Sequence, residues 1–260
     1  MSRAVVTDAI SNIGAAAARA LVSNGFRIHI LTNRAPSNET SHCFTALRFD
    51  PQHLADQMAG ADVFIDAYWV RLAYAGQTFA SAVANNRLLI DAARKAGVRR
   101  YVHVSVNNPD GAPNLGYNRG KAEVEEYLTA SSLSYGIVRS TLVVGPNDVL
   151  TNNIAWFVRR FPLFPMPRGR HRHLRPVTLD DTGTMIGKLA RQTDHRIIDA
   201  TGPDVMTVLG LSLRPANSTR GIDWVDEGKS VKVRVARVDS VDTVLAHQDG
   251  GMSIVNDVAR

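Results

Sequence analysis

Cysteine is almost absent. Cys43 is the single one in 260 residues, which excludes an internal disulfide and a thiolate zinc site and makes a reducing cytoplasm the expected setting. Long apolar runs are missing too: none approaches the roughly 18 residues a membrane span needs. The chain enters a strand at once through Met1-Ser2-Arg3-Ala4-Val5-Val6 and reads as lacking a signal peptide. Internal repeats and low-complexity tracts are also lacking, so secreted, disulfide-stapled, membrane-spanning and disordered classes fall away. What is present suits a soluble protein with one substantial core: 45% of residues are hydrophobic and 21% charged. Lys and Arg number 30 against 24 Asp and Glu, a formal charge of +6, which permits an anionic partner. Residues 206–260 carry seven basic and seven acidic side chains, so the whole surplus precedes them.

Short β-rich runs alternate with helical stretches over the first 140 residues, the pattern of a parallel sheet covered on both faces by helices. Strands are predicted at Ala4–Thr7, Arg27–Leu31, Phe44–Phe49, Asp62–Ala67, Arg100–Ser105 and Ser134–Val138, and helices at Ile13–Asn24, Gln52–Ala59, Tyr74–Lys95 and Gly120–Ala130. Glycines just past the first and third helices, Gly25 and Gly97, are left-handed stops. The fold class is therefore α/β, a Rossmann-type doubly wound parallel sheet with a small C-terminal substrate-side region, and ligands belong beyond the carboxyl ends of the strands. Residues 1–145 are expected to be the dinucleotide-binding core and 146–260 a reduced substrate-side region. Within it, 146–205 interleave with the core and 206–260 form an unassigned tail. A helix at Asp180–Arg191 and a strand at Arg196–Ala200 are predicted, and Val231, Val233 and Val235 alternate as in a half-buried strand.

The first turn, Thr7-Asp8-Ala9-Ile10-Ser11-Asn12-Ile13-Gly14, resembles the Thr-Gly-x-x-Gly-x-x-Gly turn of short-chain dehydrogenase/reductases. Such a turn uses glycine so that backbone amides at a helix N-terminus can approach a pyrophosphate. The resemblance makes Thr7, Ser11, Asn12, Ile13 and Gly14 candidate cofactor-binding residues, yet of the three glycines only Gly14 is kept; Asp8 and Ser11 replace the others. A carboxylate ~4 Å from a phosphate costs about 1 kcal/mol in water and several times that at a partly buried site, whereas the Ser11 hydroxyl can donate to one. Asp8 can alternatively cap the helix amides. Arg34, after the second strand, stands where a basic residue accommodates a 2′-phosphate, so NADP is favoured over NAD.

From Asn86 to Ser105 the chain resembles the fourth helix and fifth strand of extended and atypical short-chain dehydrogenase/reductases, and Tyr117-Asn118-Arg119-Gly120-Lys121 resembles their Tyr-x-x-x-Lys motif. Gly145-Pro146, Arg175-Pro176-Val177 and Asp180-Asp181 match further elements, and the likeness over about residues 4–205 is to the branch holding NmrA-like proteins and the complex I 39 kDa subunit. It implies that Tyr117 is the proton-exchanging residue and that Lys121 lowers its pKa and holds the nicotinamide ribose. Four residues apart on a helix, the two share a face. Ser105 or Asn107 would supply the substrate hydroxyl or amide contact. Asp50 matches an aspartate that approaches adenine, and Asp66, at the end of the fourth strand, and Tyr68, just past it, stand where the family meets cofactor or substrate. Arg168 and Arg170 open a basic segment ending at Arg175, which reads either as a solvated surface loop or as a loop over the cleft that suits a small anionic substrate. Without a helix-turn-helix or interleaved aromatics it falls short of a nucleic-acid face. No metal is expected, because His171 and His173 have no third ligand at suitable spacing, and His103 reads as a buried, hydrogen-bonded histidine. The leading expectation is an NADP-preferring oxidoreductase acting on a small carbonyl or alcohol, with a homo-oligomer admitted. Behind it stand a non-redox descendant (a cofactor-independent cyclase, dehydratase or epimerase, or a dinucleotide-sensing regulator) and a structural subunit.

Overall fold

The computed structural model describes residues 2–33, 43–73, 76–146, 148, 152–153, 156, 160 and 173–207, with further strands between 220 and 252. The chain divides into two compact units, one formed by Met1–Ser140 and Asp180–Ala200, the other by Thr141–Leu179 and Thr201–Arg260.

The first unit is a parallel sheet. Strands β1 (Arg3–Thr7), β2 (Arg27–Leu31), β3 (Cys43–Thr45), β4 (Val63–Asp66), β5 (Arg100–Val106), β6 (Tyr135–Ser140) and β10 (Arg196–Ala200) lie in the order β10-β6-β5-β4-β1-β2-β3. Every neighbouring pair is parallel, and order reverses at β1, the doubly wound arrangement expected from sequence. Inner strands such as β1 and β4 are buried residue after residue, as a sheet covered on both faces requires.

One face carries α2 (Pro51–Met58), α3 (Phe79–Lys95) and α4 (Gly116–Thr129). Val5, Phe64, Tyr101 and Ile137 project into them and meet Leu54, Leu89, Val124 and Leu128. On the other face α1 (Asn12–Ser23) and α5 (Leu179–Leu189) meet through small residues. A Cβ on Gly183 would come within 2.7 Å of the Ala16 carbonyl oxygen, so glycine is what lets the two backbones touch.

Several boundaries differ from expectation for local reasons. Helix α3 starts at Phe79, not Tyr74, because Thr78 and Ser81 form a reciprocal capping box, Ser81 N donating to Thr78 Oγ1 at 3.0 Å and Thr78 N to Ser81 Oγ at 2.9 Å. Strand β3 stops at Thr45, short of the predicted Phe49, and Asp50 then caps α2. Helix α4 begins at Gly116 and not Gly120, which brings Tyr117 onto the helix.

In the second unit β7 (Val143–Val144) pairs in parallel with β9 (Val177–Thr178), and β8 (His173–Leu174) pairs antiparallel with β11 (Met206–Thr207). The alternating valines lie in β13 (Lys229–Val235), paired antiparallel with β12 (Arg220–Asp226), and β14 (His247–Gln248) pairs with β15 (Gly251–Met252). No described helix is long and apolar enough to cross a membrane.

Candidate functional site

The turn after β1 keeps its backbone course despite its lost glycines. Asp8 sits at φ +51°, the left-handed region that glycine enters freely and Asp tolerates better than most residues. Its carbonyl oxygen accepts hydrogen bonds from Ser11 N and Ser11 Oγ, both 2.7 Å. Ser11, not Asp8, occupies the N-cap position of α1, and its hydroxyl is turned to the turn carbonyl, not to the helix amides. Gly14 is sterically fixed: a Cβ there would lie 2.3 Å from the Asp8 oxygen. Thr7 holds the other side. Its buried hydroxyl donates to the Ile65 carbonyl at 3.3 Å and accepts from Ala67 N at 2.9 Å and Tyr68 N at 3.1 Å, locking the ends of β1 and β4 together.

Strand register then produces a row of polar side chains. On the face toward α3 and α4, apolar Val5, Phe64, Tyr101 and Ile137 give way toward the carboxyl edge to Thr7, Asp66, His103, Ser105 and Arg139, because alternate residues share a face and Asp66 pairs with His103 and Ser105 with Arg139. Asp66 is fully buried. Its Oδ2 accepts from Tyr101 Oη at 3.0 Å and contacts His103 Nδ1 at 2.8 Å, and its Oδ1 accepts from Tyr68 N at 3.2 Å. Both Asp66 oxygens are thus engaged by protein groups beneath the carboxyl edge of the sheet.

Helix α4 adds Tyr117, Lys121 and Glu125, one turn apart. Lys121 is buried, donates to the Val104 carbonyl at 2.6 Å and lies 4.2 Å from the Trp69 ring centre. Burial lowers its pKa to about 8, against the opposing pull of Asp66 and Glu125. Glu125 in turn takes Arg139 in a bidentate pair, with Nη2 to Oε2 at 2.6 Å and Nε to Oε1 at 3.2 Å. Tyr117 packs edge-on against Trp69 at 5.7 Å and Phe79 at 5.9 Å. Gly120 makes room for that stack, since a Cβ would meet Trp69 at 3.1 Å. The expected acidification of Tyr117 by Lys121 is not found. Burial raises the phenol above its usual value, Arg71 being the opposing cation, and the Lys121 ammonium is committed to Val104 and Trp69.

Ser105 shares the face of His103, and its buried Oγ has no hydrogen-bond partner among the described residues. Asn107 is drawn to β10, donating to Asp199 Oδ1 at 3.0 Å. Tyr68 is half-buried, its ring packed at a tilt of 55° against Phe49 with centroids 4.8 Å apart, and it accepts from Asn85 Nδ2 at 3.0 Å. Exposed Asp50 accepts from His53 N at 2.7 Å as the cap of α2. The structure thus gathers Thr7, Asp66, Ser105, Tyr117 and Lys121, and gives Asn107 and Asp50 other partners. Arg34, Arg168 and Arg170 lie outside the described residues. Residue patterns alone missed Glu125, Arg139 and the contact of Trp69 with Lys121. The one available signal was Glu125 falling four residues after Lys121.

Sheet order and connectivity define a Rossmann-type α/β protein. The chain belongs to the NmrA-like family, whose description matches residues 1–195. A sequence relative is subunit 9 of the NADH dehydrogenase [ubiquinone] 1 alpha subcomplex, mitochondrial, from Arabidopsis thaliana, 25% identical over 171 residues. That match takes in 62% of this chain and 42% of the relative, so the chain spans less than half of it. Among solved structures, MoeE5 in complex with UDP-glucuronic acid and NAD aligns with a TM-score of 0.72 at 15% identity over 100% of this chain and 90% of that one. UDP-N-acetylglucosamine 4-epimerase from Bacillus cereus aligns with a TM-score of 0.69 at 14% identity, over 83% and 81% of the two chains. The enzyme WbmH of Bordetella bronchiseptica in complex with NAD+ gives 0.68 at 16% identity, over 82% and 79%.

Proposed function

We propose that this chain binds a nicotinamide dinucleotide along the carboxyl edge of its sheet and exchanges hydride with a small carbonyl or alcohol. The observation that carries the reading is Lys121, an ammonium buried against the Val104 carbonyl one helical turn from Tyr117, a costly placement for a charge with no ligand to serve. Two features of the turn support the fit: Gly14 lets the start of α1 close against the Asp8 carbonyl, where a Cβ would clash, and Asp8 preserves the left-handed backbone. The amides of Ile13 and Gly14 with the Ser11 and Asn12 side chains would face the pyrophosphate, and Lys121 the ribose. A nicotinamide supplies the hydride acceptor or donor, while Tyr117 and Ser105 orient the substrate oxygen. Arg34 supports NADP over NAD, and Arg168 and Arg170 support an anionic substrate, with Tyr68 as a further contact. Two of the structural neighbours named above carry NAD and one also a UDP sugar acid, which supports a nicotinamide dinucleotide with an anionic substrate.

A second reading is favoured by Asp8 and by the raised Tyr117: a descendant that binds the dinucleotide as a signal or works without it. Replacement of Tyr117 by Phe separates the two. Under the oxidoreductase reading, Tyr117→Phe keeps NADPH affinity within about twofold, roughly 0.4 kcal/mol, and loses substrate-dependent NADPH oxidation. Full turnover by Tyr117→Phe removes that residue from the chemistry.

A further inference from the structure

With Tyr117 held high by burial and Lys121 directed at Val104 and Trp69, the tyrosine is a weak base in this arrangement. Another proton acceptor stands behind it in the polar row. Asp66 Oδ2 lies 2.8 Å from His103 Nδ1, and both side chains are wholly buried. Asp66 also accepts from Tyr68 N and Tyr101 Oη, so its oxygens act as acceptors throughout. The His103 proton therefore belongs on Nδ1, and the lone pair of the neutral ring falls on Nε2. Among the described residues that buried Nε2 has no hydrogen-bond partner, and neither has the buried Ser105 Oγ. Ser105 is the next residue on the same face of β5, about 6.6 Å closer to the carboxyl edge.

We propose that Asp66 and His103 form the proton acceptor of this site, reached through the hydroxyl of Ser105, for a substrate of the secondary-alcohol or ketone class. The proposal rests on the hydride-exchange reading above and deepens it. In the step, Ser105 first turns its hydroxyl to His103 Nε2, to which it is not hydrogen-bonded in this structure; the O–H bond of a bound alcohol then breaks and its proton goes to the Ser105 oxygen, while the proton of Ser105 leaves that oxygen and bonds to His103 Nε2. The electron pair stays on the substrate oxygen as an alkoxide, the ring becomes an imidazolium, and the Asp66 carboxylate balances its charge. No electron is transferred, and the reverse step returns the proton when an alcohol is made. The ionisable groups facing His103 are Asp66 from β4, Tyr101 on its own strand, and Lys121 and Glu125 from α4; Arg139 of β6 is paired with Glu125. Burial and Lys121 hold the imidazole below its usual pKa, Asp66 and Glu125 opposing, so the ring is neutral and able to accept at neutral pH.

The test is a nitrogen–proton spectrum of the intact protein with 15N-labelled histidine. His103 is assigned among the eight histidines by its disappearance in His103→Gln, or in His103→Asn where the first variant does not fold. The expected spectrum shows protonated Nδ1 and unprotonated Nε2 at pH 7. Ser105→Ala moves the Nε2 resonance and leaves Nδ1 in place, and Lys121→Met shifts the titration of His103 upward, because the Lys121 charge holds it down. A proton on Nε2, an Nε2 resonance indifferent to Ser105→Ala, or a titration unmoved in Lys121→Met each overturns the proposal. Because the spectrum needs no dinucleotide, these outcomes are separate from a failure of NADPH to bind, which sinks only the underlying reading.

Discussion

Lys121→Met raises the melting temperature and abolishes dinucleotide binding. The lysine pKa is lowered from 10.5 to about 8 by burial, and each unit corresponds to about 1.4 kcal/mol, so its charge costs the fold roughly 3 kcal/mol below pH 8. The contacts to Val104 and Trp69 offset part of what methionine would recover, leaving a net gain of about 1–2 kcal/mol, or several degrees. The pH dependence has a definite sign. Between pH 8 and 10.5 the unfolded chain still holds a proton that the folded chain has released, so wild-type stability rises through this window relative to Lys121→Met and the gap closes. Calorimetry at pH 7 and pH 10 checks the sign. A variant less stable than wild type at pH 7 and unaltered in affinity would mark Lys121 as an ordinary structural residue. The same titration makes wild-type NADPH affinity fall as pH passes about 8.

Gly14→Val cripples the turn. Its Cβ would lie 2.3 Å from the Asp8 oxygen and 2.9 Å from the Ala9 Cα, both backbone atoms that cannot swing aside, so α1 must lift from the sheet. The expected cost is about 3 kcal/mol, with loss of NADPH binding. Gly25→Ala is the control. Gly25 has open space around its Cα but φ +81°, so alanine there costs about 1 kcal/mol through the backbone alone and leaves binding intact. Urea unfolding with NADPH titration of each variant reads both effects. Equal behaviour of the two variants would mean that Gly14 is a conformational glycine and not a close-packing one.

The sheet was legible because Ala4–Thr7, Arg27–Leu31 and Arg100–Ser105 are apolar runs punctuated by Gly25 and Gly97, and short-range chemistry fixes such elements. Tyr117 and Lys121 were legible through their spacing. The Asp66–His103 contact was not, since it depends on the register of β4 against β5 across 37 positions of chain, which no local pattern encodes. The Glu125–Arg139 pair was hidden for the same reason. The Lys121 ammonium was assigned to Tyr117 by resemblance, whereas its position is set by the Val104 carbonyl and the Trp69 ring, a three-body arrangement that motif spacing does not carry.

Titration of the wild-type protein and of Asp8→Gly with NADPH, NADH, NADP+ and NAD+, followed by tryptophan fluorescence, tests the dinucleotide site most directly. Saturable binding to wild type is expected, tighter for the phosphorylated pair because of Arg34. Asp8→Gly should tighten it about fivefold or more by removing a repulsion of about 1 kcal/mol at the pyrophosphate. Failure of all four dinucleotides to bind either protein would contradict the assignment.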